Sequence, residues 1–225
     1  MRSIRQFGVL RTGYDLVLRA LNRLVYFRIL KALAVQTPDP QALAKRPGYS
    51  YGFLSRAIVL SFAVDPQYEM SERFVQEALA EEDRCYGIVH DGTLASYGWY
   101  SRKPTTALTD DLRLRFDSSY VYMYKGFTHP AYRGQRLHAA GMAQALGEYR
   151  AEGAKGIVSY VESNNFSSLK SCYRMGYATF GHLFVVKALG RYFLGSSKGC
   201  RERGFCLEPV GRDPTHGGDE TSRVA

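Results

Sequence analysis

Thr128-His129-Pro130-Ala131-Tyr132-Arg133-Gly134-Gln135-Arg136-Leu137-His138 and Asn164-Asn165-Phe166-Ser167-Ser168-Leu169-Lys170-Ser171-Cys172-Tyr173-Arg174-Met175-Gly176-Tyr177 are the stretches on which the reading of this chain turns. The first reads as a strand end, a Pro-marked turn and a cationic loop opening a helix near Gly134. Such a loop aims backbone N–H groups and the positive end of a helix dipole at an anion, most naturally a phosphate or pyrophosphate. The second reads as a strand end, an Asn-rich turn, a short helix and a Gly stop.

In order and spacing the pair resembles the GNAT superfamily of acyl-CoA-dependent N-acyltransferases. That family carries (Gln/Arg)-x-x-Gly-x-(Gly/Ala), then a strand, then Asn-x-x-(Ala/Ser)-x-x-x-Tyr-x-x-x-Gly-(Phe/Tyr). Arg133 and Gly134 fall on the basic residue and the glycine of the first pattern. Ala131 replaces its Gln or Arg, Arg136 a Gly or Ala, and His138 a further small residue. Backbone donors do not depend on side chains, so the cradle survives if Arg136 and His138 point outward. In the second pattern Asn165, Ser168, Gly176 and Tyr177 are in register, whereas Cys172, not Tyr173, stands at the tyrosine that protonates the departing thiolate. The resemblance covers roughly residues 118–180.

The resemblance implies an α+β sandwich: a mixed, mostly antiparallel twisted sheet flanked by helices. It implies acetyl-CoA or another acyl-CoA as co-substrate, bound by Phe127, Thr128, Arg133, Gly134, Gln135, Arg136, Leu137, His138, Asn165 and Ser168. It also implies transfer of the acyl group to the amine of a small molecule such as an amino sugar or amino acid. Two alternatives stay open: a non-catalytic acyl-CoA binder, and a long-chain enzyme fed by acyl carrier protein.

Three side chains are catalytic candidates. Cys172 has a thiol whose ordinary pKa of about 8.5 matches a leaving thiol, yet free cysteines are usually small buried hydrophobes. Tyr173 lies one helical position on, about 100° round. Glu162, at a strand end, can steer or deprotonate an amine through water, or be a plain surface carboxylate. His129 beside Pro130 reads as turn-shaping, and Asn165 as a helix cap or a partner of the cofactor arm.

Elsewhere the chain reads as one domain with terminal extras: a basic amphipathic helix within 1–25, the catalytic domain over 26–210, and a polar tail over 211–225. Arg2, Arg5, Arg11, Arg19, Arg23, Arg28 and Lys31 face only Asp15 in the first 31 residues. Tyr14, Leu18, Leu21, Val25 and Ile29 recur between them at helical steps. Such a helix suits an anionic membrane surface or an acidic acyl carrier protein, or simply packs on the domain. The net charge of +9 raises nucleic acid as a partner, but no zinc-finger, RNP or helix-turn-helix pattern accompanies it. Cys85, Cys172, Cys200 and Cys206 form no metal spacing, so no metal is expected. With no signal-peptide pattern and no long apolar run, the expected location is cytoplasmic, with peripheral contact to the inner membrane face open.

Residues 27–35 read as a helix continuation or a first strand, Phe53–Val64 as helical and Ser71 as the cap of a short helix. Strands are expected at Cys85–His90 and Thr93–Ser101 about an Asp91-Gly92 hairpin, then at Ser119–Thr128, Gly156–Glu162 and Thr179–Val186. Helices are expected at Gly134–Ala151 and Phe166–Met175, a polar loop at 102–117, and a weak hairpin from Tyr192–Leu194 and Gly204–Leu207. Residues 41–64 and 102–117 are expected to build the acceptor pocket.

Overall fold

Asp91 and Gly92 take left-handed backbone angles, φ 46° and 74°, the geometry of a tight hairpin whose twist matches its strands. They join β3 (Arg84–His90) to β4 (Thr93–Ser101). The computed structural model of the chain describes residues 8–22 and 25–210, so the expectation for the tail 211–225 lies outside the described residues.

The sheet grows outward from this hairpin in both directions. A short strand, β2 (Tyr49–Phe53), pairs with the far edge of β3, and β7 (Tyr120–Thr128) pairs antiparallel with β4. The chain then crosses through helix α4 (Leu137–Ala151) to β8 (Gly156–Glu162), which runs parallel to β7. Beyond β8 comes β1 (Tyr26–Val35), antiparallel to both β8 and β9 (Ala178–Ala188), with β10 (Arg191–Ser196) at the edge. The eight-stranded order is β10-β9-β1-β8-β7-β4-β3-β2. Residues 27–35 are therefore a strand and not a helix. With Leu30, Leu33 and Val35 all buried, β1 has apolar contacts on both faces, which a central strand requires and an exposed helix does not.

Residues 102–117 are not a loop. They hold β5 (Thr105–Ala107) and β6 (Thr109–Arg115), which with β11 (Cys206–Pro209) make a second, three-stranded sheet. Leu112 and Leu114 are buried between exposed Asp111, Arg113 and Arg115, a period-two alternation that charge had disguised as loop. Nor do the last strands form a hairpin together: β10 pairs with β9, and β11 with β6.

Helices α2 (Arg56–Ala63) and α3 (Glu72–Ala80) start on serine caps. Ser55 Oγ accepts from Ile58 N at 3.5 Å and Ser71 Oγ from Phe74 N at 3.2 Å. Residues 49–53, within the stretch read from sequence only as a turn and a helix, are strand. Core side chains fill both faces of the large sheet. Leu33 and Val121 pack with Leu146 and Tyr149 of α4 and Leu169 of helix α5 (Phe166–Arg174). Leu30, Tyr122, Leu112 and Phe205 join the two sheets, and Trp99 and Phe127 pack with Val59 of α2 and Val75 of α3. The N-terminal helix α1 (Val9–Leu21) contacts β1.

Candidate acyl-CoA site

The parallel pair β7–β8 lasts three residues. Tyr120, Val121 and Tyr122 face Gly156, Ile157 and Val158; after that β7 follows β4 and β8 follows β1. The fork has a local cause. Opposite Trp99 and Tyr100 of β4, β7 carries Lys125 and Met123, so Tyr124 is an extra residue, a bulge that bends its strand. Tyr124 Oη donates to Asp83 Oδ2 at 2.9 Å and so pins the bulge. Burial raises the Asp83 carboxyl above its usual range, with the Ser101 and Tyr124 hydroxyls opposing. Ser159 Oγ donates to the Met123 carbonyl at 2.9 Å as a link across the start of the fork. Beyond it the facing backbone edges, including Phe127 and Thr128 on one side and Glu162 on the other, no longer pair with each other. Such a gap admits an extended ligand arm.

The loop after β7 turns on His129, whose Nδ1 accepts from Ala131 N at 3.3 Å while Nε2 lies 2.9 Å from Gln67 Oε1. That is the turn-shaping role expected of it. Gly134 (φ 82°) and Arg136 (φ 59°) are both left-handed, which delays the helix from Gly134 to Leu137. Arg46 holds the loop from outside, donating to the Gln135 carbonyl at 2.8 Å and to Gln135 Oε1 at 3.1 Å. Tyr49 Oη donates to the same Oε1 at 3.2 Å. Arg133 Nε reaches the Thr128 carbonyl at 3.4 Å. No side chain caps the start of α4, so its first-turn amides are left for an anion. Leu137 is buried and can offer only its amide.

Arg136 is largely exposed at the mouth of the cleft between α4 and α5, 3.6 Å from Asp39. His138 is not: a Cβ added at Gly126 would collide with its imidazole and crowd Met123. The ring thus lies over β7 beside the fork, and burial lowers its pKa below the ordinary value. A histidine whose pKa is lowered in the fold costs stability once acid protonates it. Stability is whole above the ordinary pKa of about 6.5 and falls as pH drops through the folded value. His138→Gln is expected to flatten the fall in melting temperature between about pH 7.5 and 5, measured by thermal unfolding; equal slopes for both proteins would refute this.

Between α4 and α5 opens a cleft of about 1060 Å³. Arg11, Lys31, Arg136, Lys170 and Arg174 line it, and no carboxylate does among the described residues. A concave wall of one sign concentrates positive potential and suits a phosphorylated nucleotide. Asn165 caps α5, accepting from Ser168 N at 3.1 Å and from Ser167 Oγ at 3.0 Å.

The two candidate acids part here. Cys172 is half-buried against the core and does not line the cleft, and burial pushes its thiol up to about 11. Tyr173 does line it, with Oη 3.0 Å from Thr179 Oγ1 and 3.5 Å from Lys31 Nζ. Cys172→Ala is expected to lower stability by about 1 kcal/mol and leave turnover within about twofold; a fall of about 100-fold in turnover at unchanged KM would instead make Cys172 the acid.

Glu162 lies 3.4 Å from Arg28 and borders a second cavity of about 280 Å³ with Thr12, Asp15, Arg19, Asn164, Asn165 and Phe166. Helix α1 is fastened there: Asp15 Oδ1 accepts from Asn164 Nδ2 at 2.9 Å, and Tyr14 Oη meets Ser163 Oγ at 2.8 Å. Arg11 sits over the Phe166 ring at 5.4 Å. Residues 41–64 and 102–117 line neither cavity. Sequence reasoning missed Arg11, Asp15, Lys31, Lys170 and Arg174 as site residues. Lys170 and Arg174, one helical turn apart, were visible as a pair; that α1 and β1 come to this site had no local signal.

The profile of the Acetyltransferase (GNAT) family matches residues 52–177. The chain belongs to the GNAT acetyltransferase family. Among solved structures it is similar to a GNAT-family acetyltransferase from Novosphingobium aromaticivorans, at 17% identity and TM-score 0.48 over 77% of this chain and 67% of that one. It is also similar to a GCN5-related N-acetyltransferase from Sphaerobacter thermophilus, at 13% identity and TM-score 0.50 over 80% of this chain and 55% of that one. The chain thus spans about two thirds of the first and just over half of the second. No protein of curated function matches it. The forked, mostly antiparallel sheet with its flanking helices is the GNAT fold, whose co-substrate is in general an acyl-CoA. No group of His, Cys, Asp and Glu suited to a metal occurs among the described residues.

Proposed function

We propose that this GNAT protein transfers an acetyl group from acetyl-CoA to the primary amine of a small molecule. The observation that carries the reading is the fork of β7 and β8 opening beside a carboxylate-free cationic cleft. The α4 amides and the Gly134 loop would hold the pyrophosphate, Lys31, Lys170 and Arg174 the remaining phosphate charge, and the β7 edge the pantetheine arm. The acceptor would come through the second cavity, where an ammonium group would compete with Arg19 for Asp15 and with Arg28 for Glu162.

Glu162 takes a proton through water, and the freed amine attacks the thioester carbonyl. The C–N bond forms, the C–S bond breaks, and the thiolate collects a proton. Positioning alone lowers such a barrier by up to roughly 7–11 kcal/mol in the best cases. Cys172 is a poor donor for the last step. Its thiol, pushed up to about 11, holds its proton more tightly than an ordinary thiol does, at a cost of about 3 kcal/mol. The Tyr173 hydroxyl, on the cleft wall, is the candidate acid.

The test is thiol release from acetyl-CoA, followed across a panel of amino sugars, amino acids and polyamines, beside calorimetry with acetyl-CoA, longer acyl-CoAs and CoA. Amine-dependent release supports the reading. The inward His138 and half-buried Cys172 favour a second reading, an acyl-CoA binder without turnover, which tight binding with no release for any amine would support. Binding of no acyl-CoA would sink both, and preference for long chains would point to a lipid acyl donor.

A further inference from the structure

Helix α1 is attached the wrong way round for a helix that belongs to the core. At 100° per residue, Val9, Leu10, Gly13, Leu16, Val17, Ala20 and Leu21 share an arc of about 140°, and every one of them is exposed; Tyr14, at its edge, reaches Ser163 through its hydroxyl. Leu10 is 90% exposed and Val9 72%. The opposite arc holds Arg11, Thr12, Asp15 and Arg19, the residues that meet Asn164, Phe166 and the two cavities. Leu18 is the one buried residue of the helix. A helix docked for folding alone would turn its apolar arc inward.

The neighbouring sheet surface continues the pattern. Lys31 and Arg11 share a cleft with α5, so α1 lies on the α5 face of β1. On that face, by strand alternation, stand Phe184 and Phe193, 40% and 62% exposed. At the end of the sheet where α1 leads into β1, the β9–β10 hairpin turns on Leu189 and Gly190, and Leu189 is fully exposed with φ 50°. A leucine is strained there, and an asparagine or glycine would relieve it.

We propose that this surface docks the protein on an anionic lipid bilayer, with the α1 arc and Leu189 in the headgroup–acyl boundary. The charge around it is complementary. Arg191 adjoins the hairpin tip, and the first 31 residues carry seven basic side chains against Asp15. A fluid bilayer takes up scattered exposed apolar side chains such as Leu10 and the fully exposed Leu189 without needing a preformed site. No helix among the described residues is long and apolar enough to cross a membrane, so attachment would be peripheral. This inference is independent of the acyl-transfer reading.

The test is co-sedimentation of the full chain with vesicles of phosphatidylcholine alone or with about one third phosphatidylglycerol. Each basic residue near an anionic surface contributes roughly fivefold in partitioning. The intact protein is expected to sediment with the anionic vesicles only, and to be released between about 0.1 M and 1 M salt as the Debye length shrinks from about 10 Å to 3 Å. Val17→Glu and Leu10→Glu, outside both cavities, are expected to weaken binding by about tenfold or more with unchanged far-UV circular dichroism. Leu189→Asn, which suits the turn, should weaken binding while raising thermal stability. An intact protein left in the supernatant with anionic vesicles overturns the proposal. So does sedimentation velocity showing a dimer that Val17→Glu dissociates without vesicle binding in either form, which would make the cover a second copy. Binding to an acidic carrier protein without vesicle binding overturns it equally.

Discussion

Gly134→Val is expected to weaken acetyl-CoA binding by about 100-fold while the protein stays folded. Gly134 has φ 82° and an added Cβ would meet nothing within 4 Å, so the substitution clashes with no other part of the chain. Its cost is conformational. A β-branched residue in the left-handed region costs of order 1–3 kcal/mol, and the free loop escapes this by relaxing. Binding the phosphate forces it back, and about 2.7 kcal/mol is a factor of 100 in Kd. Calorimetry with far-UV circular dichroism reads both halves of the expectation. Gly134→Asn, which tolerates this conformation, should recover much of the affinity if backbone geometry is the cause. An unchanged Kd in a folded Gly134→Val protein would remove this loop as the cradle.

Lys170→Glu combined with Arg174→Glu is expected to raise the Kd for CoA by about 100-fold and to flatten its dependence on salt. Both side chains are exposed on α5 and line the cleft, so reversing them leaves the core untouched. Two unit charges a few ångströms apart interact by about 1–4 kcal/mol at a protein surface, and each reversal turns an attraction into a repulsion. The same titration with pantetheine, which lacks the nucleotide, should be little affected. Equal losses for CoA and pantetheine would mean that α5 moved; no loss for either would place the nucleotide elsewhere.

Much of the α5 side was legible because its signals are local. Asn165 caps a helix because its side chain reaches an amide three residues on, and Asp91-Gly92 turns a hairpin because both residues tolerate left-handed angles. Residues 105–115 were misread because Asp110, Asp111, Arg113 and Arg115 outweighed the alternation of Leu112 and Leu114. In that segment a half-buried strand carries its charges on the face turned to water. His138 was read from the motif as pointing outward, whereas its ring packs over Gly126 beside Met123, which it reaches only through the packing of α4 on β7.

The sequence by itself determined the left-handed turn at Gly134, the capped α5 and the family, since these rest on spacing and on backbone preferences within a few residues. Only the tertiary structure decided that β1, from the N-terminal end, separates β8 from β9, and so brings Lys31 and α1 to the cationic cleft. Strand neighbours are chosen by which apolar faces fit together across the whole sheet, and that choice leaves no mark in any one segment. The same holds for α1. The pattern read from sequence was a stripe of Tyr14, Leu18, Leu21, Val25 and Ile29, but the helix ends at Leu21 and Ile29 belongs to β1. Asp15 on Asn164 and Arg11 over Phe166 turn the polar arc inward and, with Leu18 buried, leave Leu10, Leu16 and Val17 outside.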